Sequence, residues 1–315
     1  MRYLNIVIAA SGEIWAIEEV KLREISHFLA LKSLSDEPGH EVEARVGPGQ
    51  RRAQQPTDAP GSIAVLPVYG VLAQRMNMMI DFSGGTSMQM LANDLRAALA
   101  DPKIKAIILD IDSPGGTVSG TQELGQEIFD SRGSKPIVAM INSMAASAAY
   151  WLACQCDEIV VTPSGQAGSI GVYTVHENLA KMLDAKGIDT TLISAGKYKT
   201  EGNPYGPLGE EAAAAIQARV NQSYSAFVGA VARGRGISRA TVAANYGQGR
   251  MFGAAELVDR GMANRIATLP QTLEAYGASI HPVATASTRR AFAAAAIREM
   301  HQNLASVMEA LKVRR

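Results

Sequence analysis

Between Ser62 and Gly165 one pattern recurs: a short continuous apolar run, a turn rich in Gly or Ser, then apolar residues at helical spacing. "SIAVLPVYGVL" precedes "MQMLANDLRAALADP", "IKAIILDIDSPGG" precedes "TVSGTQELGQEIFDS", and "KPIVAMINS" precedes "MAASAAYWLA", after which comes "CDEIVVTPSG". Strands that are apolar throughout need cover on both faces, which is the mark of a mostly parallel sheet crossed by helices. The chain therefore reads as α/β, built from repeated strand-turn-helix units. "SIGVYTVHENLAKMLDAKGIDTTLISAGKYK" is expected to add one more unit, with an apolar strand before its lysines, and "GEEAAAAIQARVNQSYSAFVGAVARGRG" to form a long helix.

The flanks read differently. Residues 14–34, "IWAIEEVKLREISHFLALKSL", place Ile17, Leu22, Ile25, Phe28 and Leu29 at helical spacing, so residues 1–34 are expected to be an N-terminal helical segment. Residues 35–61 are rich in Gly, Pro and charge and read as a flexible linker. The main domain then spans 62–283, and the Ala-rich basic tail, 284–315, is expected to be helical.

Composition removes several classes of function. Thirty basic and thirty acidic residues cancel, so nothing global draws the chain to nucleic acid or to an anionic membrane. Cys154 and Cys156 are too close for an ordinary bridge and too few for a disulfide framework or a zinc site, so they read as packing residues in a reducing compartment. Glu13, Glu18 and Glu19 interrupt the first apolar run, and no stretch approaches the roughly 20 apolar residues of a spanning helix. A soluble, cytoplasmic chain is the expectation. With no metal-ligand cluster and no phosphate-binding fingerprint, no cofactor is expected.

In open α/β sheets, reactive groups gather where strands end and turns begin. Two such turns stand out. In "DSPGG", Pro114 stiffens the turn, and Gly115 and Gly116 free the backbone for close approach; these glycines also fit a plain tight turn. In "INSMAASAAYWLA", Ser147 sits between an apolar strand and an apolar helix, either as a helix cap or as a nucleophile. Together the turns suggest an acyl-transfer site: a hydroxyl, the N–H of Ala148, and a Gly N–H to receive a developing oxyanion.

Such a hydroxyl needs a base. Of the histidines, His27, His40, His281 and His301 fall in the flanks or near the tail, which leaves His176 as a weak candidate. Lysine is the other option, and with an ordinary pKa of about 10.4 it must be desolvated to serve. "LISAGKYKTEGNP" offers Lys197 and Lys199, and spacing does not choose between them.

Four motifs in order, "DIDSPGG", "AASAAYWLA", "GSIGV" and "GKYKTEGNP", resemble the signature of the signal peptide peptidase A (protease IV) family, serine peptidases with a Ser/Lys dyad. The matching core covers Ser62 to Ile266. The flanks resemble the phage branch, the head-maturation and capsid assembly proteases. This resemblance implies that Ser147 is the nucleophile, Lys199 the general base, Ser169 a hydroxyl that orients the lysine, and Gly115, Gly116 and Ala148 the oxyanion donors. It implies a crotonase-like or Clp-protease-like core, a ring-shaped homo-oligomer that can build each site across a subunit boundary, and peptide or unfolded protein as substrate. It also implies phage capsid, scaffold or portal proteins as partners, with the tail as a contact or self-cleavage region. An alkaline-leaning pH optimum follows from a lysine base. Many relatives have Gly-Gly after the serine, and Ala148 puts the local conformation in question, since alanine does not readily adopt positive φ. Met140, Met144 and Tyr150 point to small or apolar substrate side chains. The competing readings are a bacterial peptidase that degrades signal-peptide remnants, an acyl-CoA hydratase or thioesterase of the same core, and a non-catalytic scaffold.

Overall fold

The apolar runs become neighbouring strands of a seven-stranded sheet. In order of adjacency, β2 (Ser62–Tyr69), β5 (Ile104–Ser113) and β7 (Ile137–Ala146) are parallel. The first half of β7 pairs in parallel with β8 (Glu158–Val161), and its last residues pair in parallel with β9 (Gln166–Gly168). Two short strands complete the sheet: β10 (Met251–Gly253) runs antiparallel to β9, and β11 (Arg265–Ile266) runs parallel to β8. The computed structural model describes residues 13–19, 21, 22, 61–75 and 85–277, all within one unit, residues 1–278.

Ile107, Ile108, Leu109 and Ile111 of β5 are all fully buried, as strands covered on both faces must be. One face packs against α1 (Met88–Ala100), α2 (Thr121–Asp130), α3 (Ala148–Ala153) and α5 (Glu210–Arg235). There Trp151 of α3 stacks on Phe227 of α5, ring centroids 4.5 Å apart. Between them in sequence lies the five-residue α4 (Ala180–Asp184), and α6 (Arg239–Asn245) and α7 (Ala254–Asp259) follow α5. On the other face, α8 (Leu269–Ala275) lays Leu269 and Leu273 over Ile108, Val138, Met140 and Val160. Thr268 opens α8 with a capping box completed by Gln271, satisfying backbone N–H groups that no helical carbonyl serves.

A register shift in β5 sets up the candidate site. Ile111 pairs with Ile141 but Ser113 pairs with Ala145, while Ala145 and Ala146 pair with Ala167 and Gly168. The carboxyl ends of β5, β7 and β9 therefore lie side by side.

A smaller sheet holds β1 (Trp15–Ile17), β6 (Gly115–Thr117), β3 (Val71–Ala73) and β4 (Gly85–Ser87), in that order. This corrects the expected N-terminal helix: Trp15–Ile17 is a buried strand paired antiparallel with β6. Pairing with a strand distant in sequence overrides the helical spacing, and it brings this segment into the fold of the main domain. Glu19, Lys21 and Leu22 are helical, whereas residues 23–34, most of the expected linker and the tail at 284–315 lie outside the described residues. A second correction concerns the unit expected to end in "TTLIS". Residues 188–194 form no strand, and Ile193 is 96% exposed, because nothing among the described residues pairs with them.

Both cysteines are free and buried. Burial pushes the Cys154 thiol up to about 12, and drives that of Cys156 up as well.

Candidate active site

Ser147 directly follows β7 with φ 53° and ψ −116°, a conformation an L-residue holds only under constraint. Constraint comes from both sides. Its N–H donates to Gly168 O (2.8 Å), and its carbonyl accepts from Trp151 N–H (2.9 Å), closing the first turn of α3. Strain of this kind costs about 1–3 kcal/mol and persists where the surroundings over-determine it. The hydroxyl does not cap α3; it is buried and donates to Gly171 O over 3.3 Å. The cap reading of this serine therefore falls.

The positive φ belongs to Ser147 and not to Ala148. Alanine after the serine is thus no obstacle: Ala148 is the first helical residue, and its N–H has no carbonyl four residues back to bond. Gly115, at φ 99°, lies against this N–H. A Cβ on Gly115 would fall 3.1 Å from Ala148 N, 2.9 Å from Ala146 O and 2.3 Å from Ala16 O, so only glycine fits. Its N–H donates to Ser113 Oγ (3.1 Å), whose hydroxyl donates to Gly70 O (2.6 Å). Gly116 is held differently, within the small sheet between Leu72 and Ala16. A Cβ there would fall 1.8 Å from Leu72 O, which makes close strand packing the reason for this glycine.

Ser169 is the second strained residue of this corner, with φ 54°, and its N–H donates to Arg250 O (2.8 Å). It follows Gly168, the residue that holds Ser147 N–H. Ser147, Ala148, Gly115 and Ser169 thus meet at the carboxyl ends of three strands.

Lys199 does not join them. It is exposed, in a turn where its N–H donates to Gly196 O (3.1 Å), and its ammonium makes no hydrogen bond or ion pair among the described residues. Lys197 is a surface residue whose pKa is raised by its hydrogen bonds to Tyr198 and then Glu211, the latter over 2.9 Å. The ring of His176 bonds Asn203 O (3.0 Å). Two of the residues expected to shape substrate choice face the core instead. Tyr150 is fully buried with its hydroxyl on Met262 O (2.9 Å), and Met140 packs with Val138 and Val160.

Sequence reasoning missed Ser113, the Arg250 carbonyl and the Trp15–Ile17 strand. For Ser113 a signal existed, a serine directly before the Pro-Gly-Gly turn; the other two act through backbone, which leaves no mark in side-chain type.

A buried serine hydroxyl, the first N–H of a helix and a glycine turn share this corner. Residues 130–278 match the family model of peptidase family S49. Capsid assembly protease C of Escherichia phage lambda is 33% identical over 70% of this chain and 49% of its own length. The head-tail preconnector protein GP5 of Enterobacteria phage P21 is 35% identical over 65% of this chain and 40% of its own. Protease 4 of Salmonella typhi is 30% identical over 57% of this chain and 28% of its own. The chain thus spans half or less of the length of these relatives. Among solved structures it is similar to a ClpP1 mutant of Listeria monocytogenes, with a TM-score of 0.42 and 14% identity over 66% of this chain and 94% of that one. The resemblance read from the four motifs is borne out by the S49 match and these relatives.

Proposed function

We propose that the chain is a serine endopeptidase that works through a Ser/Lys dyad. Ser147 Oγ attacks a peptide carbonyl carbon while its proton passes to Lys199 Nζ. The tetrahedral oxyanion is held by the N–H groups of Ala148 and Gly115, the latter exchanging Ser113 Oγ for the substrate oxygen. The amine leaves with the proton, and water then hydrolyses the acyl-enzyme. Ser169 orients the lysine. The observation that carries this reading is Ser147 itself: a strained, buried hydroxyl that caps nothing, beside the Ala148 N–H and the Gly115 turn.

Lys199 stands exposed with no bond to Ser147, so the working site takes its lysine from a neighbouring copy in a ring. The names of the two phage relatives support a role in processing capsid or scaffold proteins during head maturation, within the host cytoplasm or the procapsid. Among the described residues no helix is long and apolar enough to cross a membrane.

The test is intact and peptide mass spectrometry of an unfolded protein incubated with the purified chain. Cutting by wild type, with none by Ser147→Ala or Lys199→Ala, is the expected result. Identical behaviour of all three proteins would sink the dyad.

A further inference from the structure

We infer that residues 13–18 occupy the groove in which an extended peptide substrate lies, so that β1 is a built-in competitor which substrate must displace. The identity of the groove rests on the peptidase reading; its occupant rests on geometry.

The strand that begins at Gly115, β6, has two edges. One pairs in parallel with β3 through Leu72 and Gly116. The other pairs antiparallel with β1, Ile17 opposite Gly115, Ala16 opposite Gly116 and Trp15 opposite Thr117. The far edge of β1 meets the segment that leaves the Ser169 turn. Trp15 N–H donates to Tyr173 O (2.8 Å), and Tyr173 N–H donates back to Trp15 O (3.0 Å). β1 therefore lies between the two backbone walls that flank Ser147. It is fixed along its length: Thr174 Oγ1 donates to Glu13 O (2.8 Å), Val118 N–H to Ile14 O (3.1 Å), and Glu18 N–H to Pro114 O (2.8 Å).

An extended peptide binds a protein by adding itself to a sheet edge, where backbone bonds supply affinity and alternate side chains supply specificity. A peptide that lies along β6 and offers a carbonyl to the N–H groups of Ala148 and Gly115 needs the edge that β1 holds. Ala16 O already lies 2.3 Å from the point where a Gly115 Cβ would sit, and Ala148 N lies 3.1 Å from that same point. The side chains of β1 also read as a substrate template. Trp15 and Ile17 are buried with Leu22, Val71 and Tyr173 in one apolar cluster, while the small Ala16 packs in the main core that holds Ala145 and Ala148. The preferred substrate segment is accordingly extended, with a small residue between two large apolar ones.

Two readouts test this, one of them independent of catalysis. In a Ser147→Ala background, a fluorescein-labelled peptide of residues 12–20 should bind the Trp15→Ala/Ile17→Ala variant at least about tenfold more tightly than the protein with native β1, because the tethered competitor is weakened. Equal binding by the two folded proteins, or binding by neither, overturns the inference. With Ser147 intact, a fluorophosphonate probe should label that serine at least about tenfold faster in the β1 variant. Slower or unchanged labelling also overturns it, since a strand that only completes a sheet would, when weakened, disorder the site. Failure of the peptidase reading is separately visible: no protein is labelled at Ser147, while the peptide-binding comparison still decides who occupies the groove. Should the double variant not fold, a cleavage site inserted between residues 35 and 60 gives both comparisons before and after the cut. Peptide exchange and faster labelling after the cut support the competitor, and no change excludes it.

Discussion

Ser147 carries two properties that substitution can separate, reactivity and backbone strain. Glycine removes both, because it accepts φ 53° without a Cβ penalty, whereas alanine removes only the hydroxyl. Ser147→Gly and Ser147→Ala should each lose activity by about a millionfold, the scale seen when a nucleophile that acts as part of a unit is deleted. In urea unfolding, Ser147→Gly should be about 1 kcal/mol more stable than Ser147→Ala. Equal stability of the two would mean that the turn is unstrained. The cysteines make a different residue-scale claim. Burial pushes the Cys154 thiol from 9.0 to about 12 and raises Cys156 likewise, so both stay protonated in the folded chain after the unfolded chain has begun to ionise. Their contribution to stability is complete below pH 9 and is lost as pH climbs from 9 towards 12. Urea midpoints that fall between pH 9 and 10.5, but return to the pH 7 value in a Cys154→Ala/Cys156→Ala protein, would establish it. Ser147 was legible in the sequence because a lone hydroxyl stood between an apolar strand and an apolar helix. Whether it capped that helix was not, since capping depends on a χ angle and a turn conformation that composition does not encode.

Among the elements, the corner joining α2, α3 and α5 is tied most densely by Arg132, with Arg233 and Gln155 adding bonds across it. Arg132 follows α2 and donates to the carbonyls of Cys154 (3.0 Å), Gln155 (2.6 Å), Cys156 (2.5 Å) and Gly234 (3.1 Å). Three of these lie just past the end of α3 and the fourth lies in the last turn of α5, where helical carbonyls have no internal partner. Arg132→Ala should cost about 2–4 kcal/mol, because several part-buried acceptors lose a charged donor at once. Arg132→Lys should recover less than half of that, since an ammonium lacks the planar fork that spans them. Thermal unfolding of the three proteins reads both claims, and full rescue by lysine would show that charge alone matters. The same scale explains what the sequence made visible. β5 and β7 announce themselves because Ile107, Ile108, Leu109, Ile137, Val138 and Ala139 are buried without alternation. β1 does not, because Trp15–Ile17 becomes a strand only by pairing with residues about a hundred positions away, and its spacing fits a helix equally well. "TTLIS" misleads in the opposite sense: it has the composition of a strand but no strand partner among the described residues.

For the molecule as a whole, that unpaired stretch leads back to Lys199. Ile188, Leu192, Ile193, Tyr198 and Leu208 are all exposed, and they lie on the segment that carries the lysine. On the proposed Ser/Lys reading, this apolar exposure, close together in sequence, is where neighbouring copies meet. A closed ring made through a head-to-tail contact would cover it and place each Lys199 against the Ser147 corner of the next subunit. This predicts a specific ratio. When Ser147→Ala and Lys199→Ala chains are mixed in equal amounts under conditions that let subunits exchange, half the sites keep their serine and half of those receive a lysine, so activity should recover to about a quarter of wild type. A site built within one chain would regain nothing on mixing. Ile193→Asp should act one step earlier, releasing folded single chains in sedimentation and abolishing activity while the far-ultraviolet spectrum stays that of wild type. If the Ile193→Asp chain is inactive but still assembled, the segment serves the substrate and not the neighbouring copy, and the quarter-activity result would then have to be explained by another contact. If it is monomeric and fully active, Lys199 reaches Ser147 by rearrangement within its own chain, and the subunit-boundary reading is wrong.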